Sequence, residues 1–196
     1  DRTSRGLGDV YKRQINKFVV ATNQNDILHR AISNGTYNIE NVSETITPSM
    51  DIQIASNFER LIYDLNNHSD EKTIEAMESI KEKGKYAISK ENLDKINIDF
   101  LSSSMDENET LKTIKIIYEK FNIVLDPHSA IGYGAFDKVN LKGNNIVLAT
   151  AHPCKFPNAI EKALDLKAEL PNELAFILDE KENYDIIENN IIKILS

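Results

Sequence analysis

The sequence predicts an α/β fold. Short apolar runs alternate along the chain with stretches whose hydrophobic residues recur at helical spacing. The apolar run Phe18–Ala21 is continuous rather than alternating, as in a strand of a parallel sheet covered on both faces. Helix-start and helix-stop residues, chiefly Asn, Asp, Pro and Gly, lie where the pattern changes.

In order along the chain, residues 1–14 form a polar, basic run with little hydrophobic period, read as a non-native end set apart from the fold at 15–196. Phe18–Ala21 is the first strand. Asn25 or Asp26 can cap a helix through Ile27, Leu28, Ala31 and Ile32, which Gly35 stops. Met50–Leu65 carries a stripe at Ile54, Phe58, Leu61, Ile62 and Leu65. Asp70 opens a helix with Ile74, Met77 and Ile80 on one face, closed by Gly84. Between Ser89 and Met105, the alternation of Ile96, Ile98 and Phe100 reads as a half-buried strand, and 66–106 reads as a helical and polar appendage. Glu107–Phe121 is the clearest helix, with Leu111, Ile114, Ile117, Tyr118 and Phe121 on one face and glutamates in its first turn. Ile123–Leu125 reads as a strand, Ala130–Val139 as a helix, and Ile146–Ala149 as a second compact apolar run. Pro157 starts a helix through Ala159, Ile160, Ala163 and Leu164, and Tyr184–Leu195 has helical spacing. No repeat and no Gly-rich linker interrupts the order.

The 196 residues carry 23 basic and 31 acidic side chains, a net charge of −8. That balance argues against nucleic-acid and anionic-membrane partners, whose binding needs clustered positive charge. No stretch approaches a membrane span of about 20 apolar residues. The single cysteine, Cys154, excludes an internal disulfide and a paired-cysteine metal knuckle, and fits a reducing compartment, the cytoplasm. The four histidines, at 29, 68, 128 and 152, are too widely spaced for a zinc motif, so no metal is expected.

Chemistry is sought in polar segments at strand exits, because open parallel sheets bind ligands beyond the carboxyl ends of their strands. ATNQND at 21–26 follows the first strand, although Asn23, Asn25 and Asp26 could equally turn the chain and cap a helix. TPSMD at 47–51 reads as an extended stretch running into a helix N-terminus, which could meet an anion or be closed by Ser49 or Asp51. In DPHSA at 126–130, Asp-Pro is a turn and His128 reads as structural. TAHPCKFP at 150–157 sets Thr150, His152 and Lys155 between prolines, an expensive way to build a plain loop. Cys154 lies beside Lys155 but has no partner that would make it a nucleophile.

These segments, with SNFER at 56–60, resemble in this order the threonine synthase family over nearly the whole chain from Ile15. The resemblance implies the C-terminal portion of a fold-type II pyridoxal-phosphate enzyme, related to the tryptophan synthase β fold, with a parallel sheet flanked by helices. It implies conversion of O-phospho-L-homoserine and water to L-threonine and phosphate, with pyridoxal phosphate as electron sink. Family members are more than twice as long. They carry a Schiff-base lysine in a Gly-Pro-Thr-x-x-x-Lys-Asp context and a Gly/Asn-rich phosphate loop, and neither pattern occurs in these residues. The catalytic lysine is therefore expected on a missing N-terminal half, and this portion alone is expected to be inactive.

On the same resemblance, the Thr150 hydroxyl meets the pyridine nitrogen of the cofactor. Its alternative is a threonine capping its own loop. Asn23, Asn25, Asp26 and Ser49 are expected on the substrate side. His152 and Lys155 either supply positive charge to a dianionic substrate or pin the loop. His128 is expected behind the site. Rival readings are a non-catalytic α/β binding or regulatory module and a related pyridoxal-phosphate phospho-lyase.

Overall fold

The computed structural model describes residues 15–186. The separate segment expected at 1–14, and the terminal helix expected at Tyr184–Leu195 beyond residue 186, lie outside them.

Strand β1 (Phe18–Thr22) pairs in parallel with β4 (Phe100–Ser104), from Phe18 opposite Phe100 to Thr22 opposite Ser104. A parallel pair needs a crossover. Here the crossover holds α1 (Ile27–Asn34), β2 (Thr36–Asn38), α2 (Phe58–Leu65), α3 (Asp70–Lys83), β3 (Lys85–Ala87) and α4 (Lys90–Asp99). Within it, β2 and β3 form an antiparallel pair, Tyr37 opposite Tyr86. After β4 come α5 (Glu107–Phe121), α6 (Pro127–Val139) and α7 (Pro157–Leu164). The expected α/β class, a parallel pair flanked by helices, is what forms.

Period two puts Val20 and Ser102 on one face of the pair. That face meets α1, where His29 Nδ1 lies 2.9 Å from Ser102 Oγ. Ala21 and Ser103 lie on the other, and α6 also packs on both strands. The larger core joins Ile27, Ala31 and Ile32 of α1 to Tyr37, Phe58, Ile62, Ile80, Ile88 and Ile96. Tyr37 stacks on Phe58 at 4.7 Å, and its Oη accepts the Ala55 N–H at 2.9 Å. Burial pushes the Tyr37 phenol above its ordinary pKa, against the opposing pull of that N–H. A second core brings Ile114, Ala130 and Ile160 together from α5, α6 and α7.

Several elements depart from expectation. Residues 66–106 supply Ile80, Ile88 and Ile96 to the main core and the strand beside β1. Ile96 lies in helix α4, and the strand starts only at Phe100. The helix expected from Met50 begins at Phe58, after a three-residue 3-10 turn at Pro48–Met50. Side-chain to backbone hydrogen bonds tie the intervening segment to residues 37–45 instead. Tyr37 holds the Ala55 N–H, Asp51 Oδ2 takes the Thr45 N–H, and the buried Gln53 accepts from Glu40 N. Ile54 consequently points outward, 61% exposed.

Residues 123–125 and 146–149 form no strand, because no neighbouring strand among the described residues offers them a hydrogen-bond ladder. Residues 146–149 instead run beside α6. A Cβ added at Gly132 would sit 3.2 Å from Val147 Cγ1, so the absence of a side chain there admits Val147. Ile146 and Leu148 project the other way.

Candidate functional site

The polar segments meet in pairs. The first cluster joins the exit of β1 to residues 43–51. Asn23 and Asn25 are almost wholly buried. Asn23 Nδ2 reaches Thr45 Oγ1 at 3.0 Å, Thr47 Oγ1 at 2.9 Å and Asp51 Oδ1 at 2.6 Å, while its Oδ1 accepts the Asn25 N–H at 2.8 Å. Asn25 grips the backbone of Ser43 through both ends of its amide, at 2.8 Å each, and donates to Asp51 Oδ1 at 2.9 Å. Asp51 also accepts from Thr45 Oγ1 at 2.7 Å and from Thr45 N at 2.8 Å. A carboxylate only accepts, so Asp51 can anchor all these donors at once.

Asp26 stands apart from that hub. Its side chain does not cap α1. It pairs with Arg30 Nε at 2.8 Å, while Arg30 Nη1 also meets Glu40 Oε1 at 2.9 Å. Ser49 is exposed in the 3-10 turn and makes no hydrogen bond among the described residues. A helix N-terminus does not follow it.

The second cluster joins the start of α6 to 147–156. Asp126, 1% exposed, caps the helix, with Oδ1 accepting from His128 N at 2.9 Å and Ser129 N at 3.3 Å. Its Oδ2 accepts the Ser129 hydroxyl, and His128 Nδ1 lies 3.3 Å from Oδ1. Ser129 Oγ in turn accepts the Thr150 backbone N–H at 3.0 Å. The His128 ring packs on Phe156 at 4.7 Å, and its Nε2 is buried without a partner among the described residues.

Thr150 is exposed, and its hydroxyl makes no hydrogen bond among the described residues. Its backbone is held while its side chain is presented. His152 accepts the Cys154 N–H at Nδ1, 3.2 Å, which caps the turn Pro153–Lys155. Lys155 is exposed and without an ion pair among the described residues, and Cys154 is a free thiol. No group of acidic, histidine or cysteine side chains among the described residues could hold a metal.

The sequence missed Asp51, Thr45 and Thr47 as one hub, and Ser129 as the tie to Thr150. Their only signal was proximity to the named residues. A cleft of about 870 Å³ opens between the sheet and α2, lined by Val20, Leu28, Ile32, Phe58, Leu61 and Phe100 among others. It is mostly apolar, and none of the expected site residues lines it.

Residues 129–195 match the family model described as "Threonine synthase, C-terminal". Over 183 residues the chain is 34% identical to threonine synthase from Pseudomonas aeruginosa, covering 92% of this chain and 39% of that protein. It is 35% identical to threonine synthase from Saccharomyces cerevisiae, covering 92% of this chain and 40% of that one. The crystal structure of PLP-bound threonine synthase from Brucella melitensis superposes with a TM-score of 0.85 at 36% identity, over 95% of this chain and 41% of the other. The chain spans about two fifths of the length of these relatives. No helix among the described residues is long and apolar enough to cross a membrane.

Proposed function

We propose that this chain, which resembles threonine synthases along nearly its whole length, forms the C-terminal portion of a pyridoxal-phosphate-dependent lyase. The reaction is the conversion of O-phospho-L-homoserine and water to L-threonine and phosphate. The portion works joined to, or assembled with, polypeptide corresponding to the rest of its relatives' length. That polypeptide would bring the Schiff-base lysine, and the compartment would be the cytoplasm. The observation that carries this is the 36% identity and TM-score of 0.85 against a PLP-bound threonine synthase over 95% of the chain.

The chemistry of the donor set fits one end of the cofactor. When bound, pyridoxal phosphate supplies the electron sink for proton removal beside the amino carbon. A pyridine nitrogen is an acceptor. The Thr150 hydroxyl is a donor on a tethered backbone and makes no bond to other described residues. A neutral hydroxyl there does not favour ring protonation as a carboxylate would, which limits electron withdrawal and tunes the reaction course. Nothing in these clusters fits the other end: they contain no Gly-rich phosphate cradle, and their one lysine, Lys155, is exposed.

Asn23 and Asn25 belong to the substrate wall on this reading. The Asp51 hub fixes their amides, so the wall is preorganised before substrate arrives. Asp26 with Arg30, and Ser49 on its exposed turn, border that wall. His152 holds the loop, and Lys155 is the cation available to a dianionic phosphate.

The test is Thr150→Ala in the full-length, cofactor-loaded enzyme. The cofactor absorption band is expected to shift. Turnover is expected to fall about tenfold, the worth of one hydrogen bond of roughly 1.4 kcal/mol. An unchanged band and rate would remove Thr150 from the site.

A further inference from the structure

We propose that Ser129, oriented by the buried Asp126, is a positioning residue that sets where Thr150 presents its hydroxyl. The inference rests on the reading of Thr150 as the residue facing the cofactor ring. It assigns a role to two side chains at the start of α6, a different element from the loop that carries Thr150.

The direction of each hydrogen bond is fixed by chemistry. A carboxylate oxygen accepts and a hydroxyl donates to it, so the contact between Asp126 Oδ2 and Ser129 Oγ commits the serine proton to Asp126. Ser129 then has only lone pairs to offer. It meets the Thr150 N–H at 3.0 Å. The same carboxylate takes the His128 and Ser129 N–H groups as a helix cap, so its position is set by the first turn of α6. Position is thus passed from a helix end to a loop through a single hydroxyl.

Two further contacts bracket that bond. Val147 is admitted against Gly132 three residues before Thr150, and the His128 ring meets Phe156 six residues after it. The loop that carries Thr150, His152 and Lys155 is therefore seated on α6 at both ends. Asp126, 1% exposed, and Ser129, 3% exposed, are shielded from water that could substitute for the bond between them.

The experiment combines residue-resolved amide exchange on the full chain with the cofactor absorption band of the loaded full-length enzyme. Ser129→Ala is expected to speed exchange of the Thr150 amide about tenfold, the scale of one lost hydrogen bond. The amides of Val19–Ala21 are expected to keep their rates, which shows that the fold persists. Ser129→Thr restores the acceptor and is expected to return Thr150 to its original rate. Ser129→Cys, a near-isosteric weaker acceptor, is expected to fall between them and serves if the alanine variant does not fold. In the loaded enzyme, Ser129→Ala is expected to move the absorption band in the same direction as Thr150→Ala, with Ser129→Thr reversing it. An unchanged Thr150 exchange rate in both the alanine and cysteine variants overturns the proposal. So does a band that moves in Thr150→Ala but not in Ser129→Ala. A band unmoved by Thr150→Ala itself defeats the cofactor reading separately, and the positional tie is then decided by the exchange rates alone.

Discussion

At the scale of single residues, Asp51 matters more than its neighbours in TPSMD. Its two oxygens face only donors: the Asn23 and Asn25 amides and the Thr45 hydroxyl on one side, the Thr45 N–H on the other. In Asp51→Asn, the new amide must point its own N–H groups at one of those donors whichever way it is turned. The expected loss is about 1–3 kcal/mol, the cost of leaving buried polar groups unpaired, read as a lower urea midpoint at unchanged slope. Ser49→Ala, two residues earlier on an exposed turn, should change stability by less than about 0.5 kcal/mol. A Ser49 variant as costly as the Asp51 variant would contradict this hub. The sequence made Asn23 and Asn25 visible because they follow an apolar strand. It left Asp51 as a possible helix cap, because bonds spanning 26 and 28 residues leave no local trace.

At the scale of elements, legibility followed how local the stabilising contacts are. Helix α5 matched its expected bounds because its signals sit within it: the Asp106–Glu109 capping box at one end, Asn122 in the left-handed conformation at the other, and Ile114 and Ile117 on one face. Helix α4 was misread because Ile96, Ile98 and Phe100 alternate across a helix-to-strand boundary that has no intervening turn. In a helix, residues two apart face different ways. Ile96 is 1% exposed and Ile98 is 66% exposed. Ile96→Ala should therefore cost about 2–5 kcal/mol, as buried Ile-to-Ala changes do. Ile98→Ala should lie within about 0.5 kcal/mol of the parent. Equal, large losses in denaturant unfolding would restore the strand reading. Gly35 and Gly84 were legible as helix stops for the same local reason, since both take the left-handed conformation that ends α1 and α3.

At the scale of the whole molecule, the parallel character of the sheet was legible, while the pairing of its segments was not, because strand partners are chosen by tertiary contacts. Residues 146–149 show the difference. Val147 turns inward against α6, yet Ile146 is 87% exposed and Leu148 75% exposed, side by side on the outward face. Together with the apolar cleft between the sheet and α2, they leave hydrophobic surface that a finished α/β layer would cover. The isolated chain should therefore bind an environment-sensitive hydrophobic dye in its folded state. Replacing Ile146 and Leu148 together with serine should lower that dye signal while leaving the thermal midpoint nearly unchanged, because neither side chain gives up buried contacts. The pairing of results is what discriminates. If the midpoint falls by many degrees, the segment is buried in solution. If the dye does not bind the parent chain at all, the outward face is covered there by contacts that the structure does not contain.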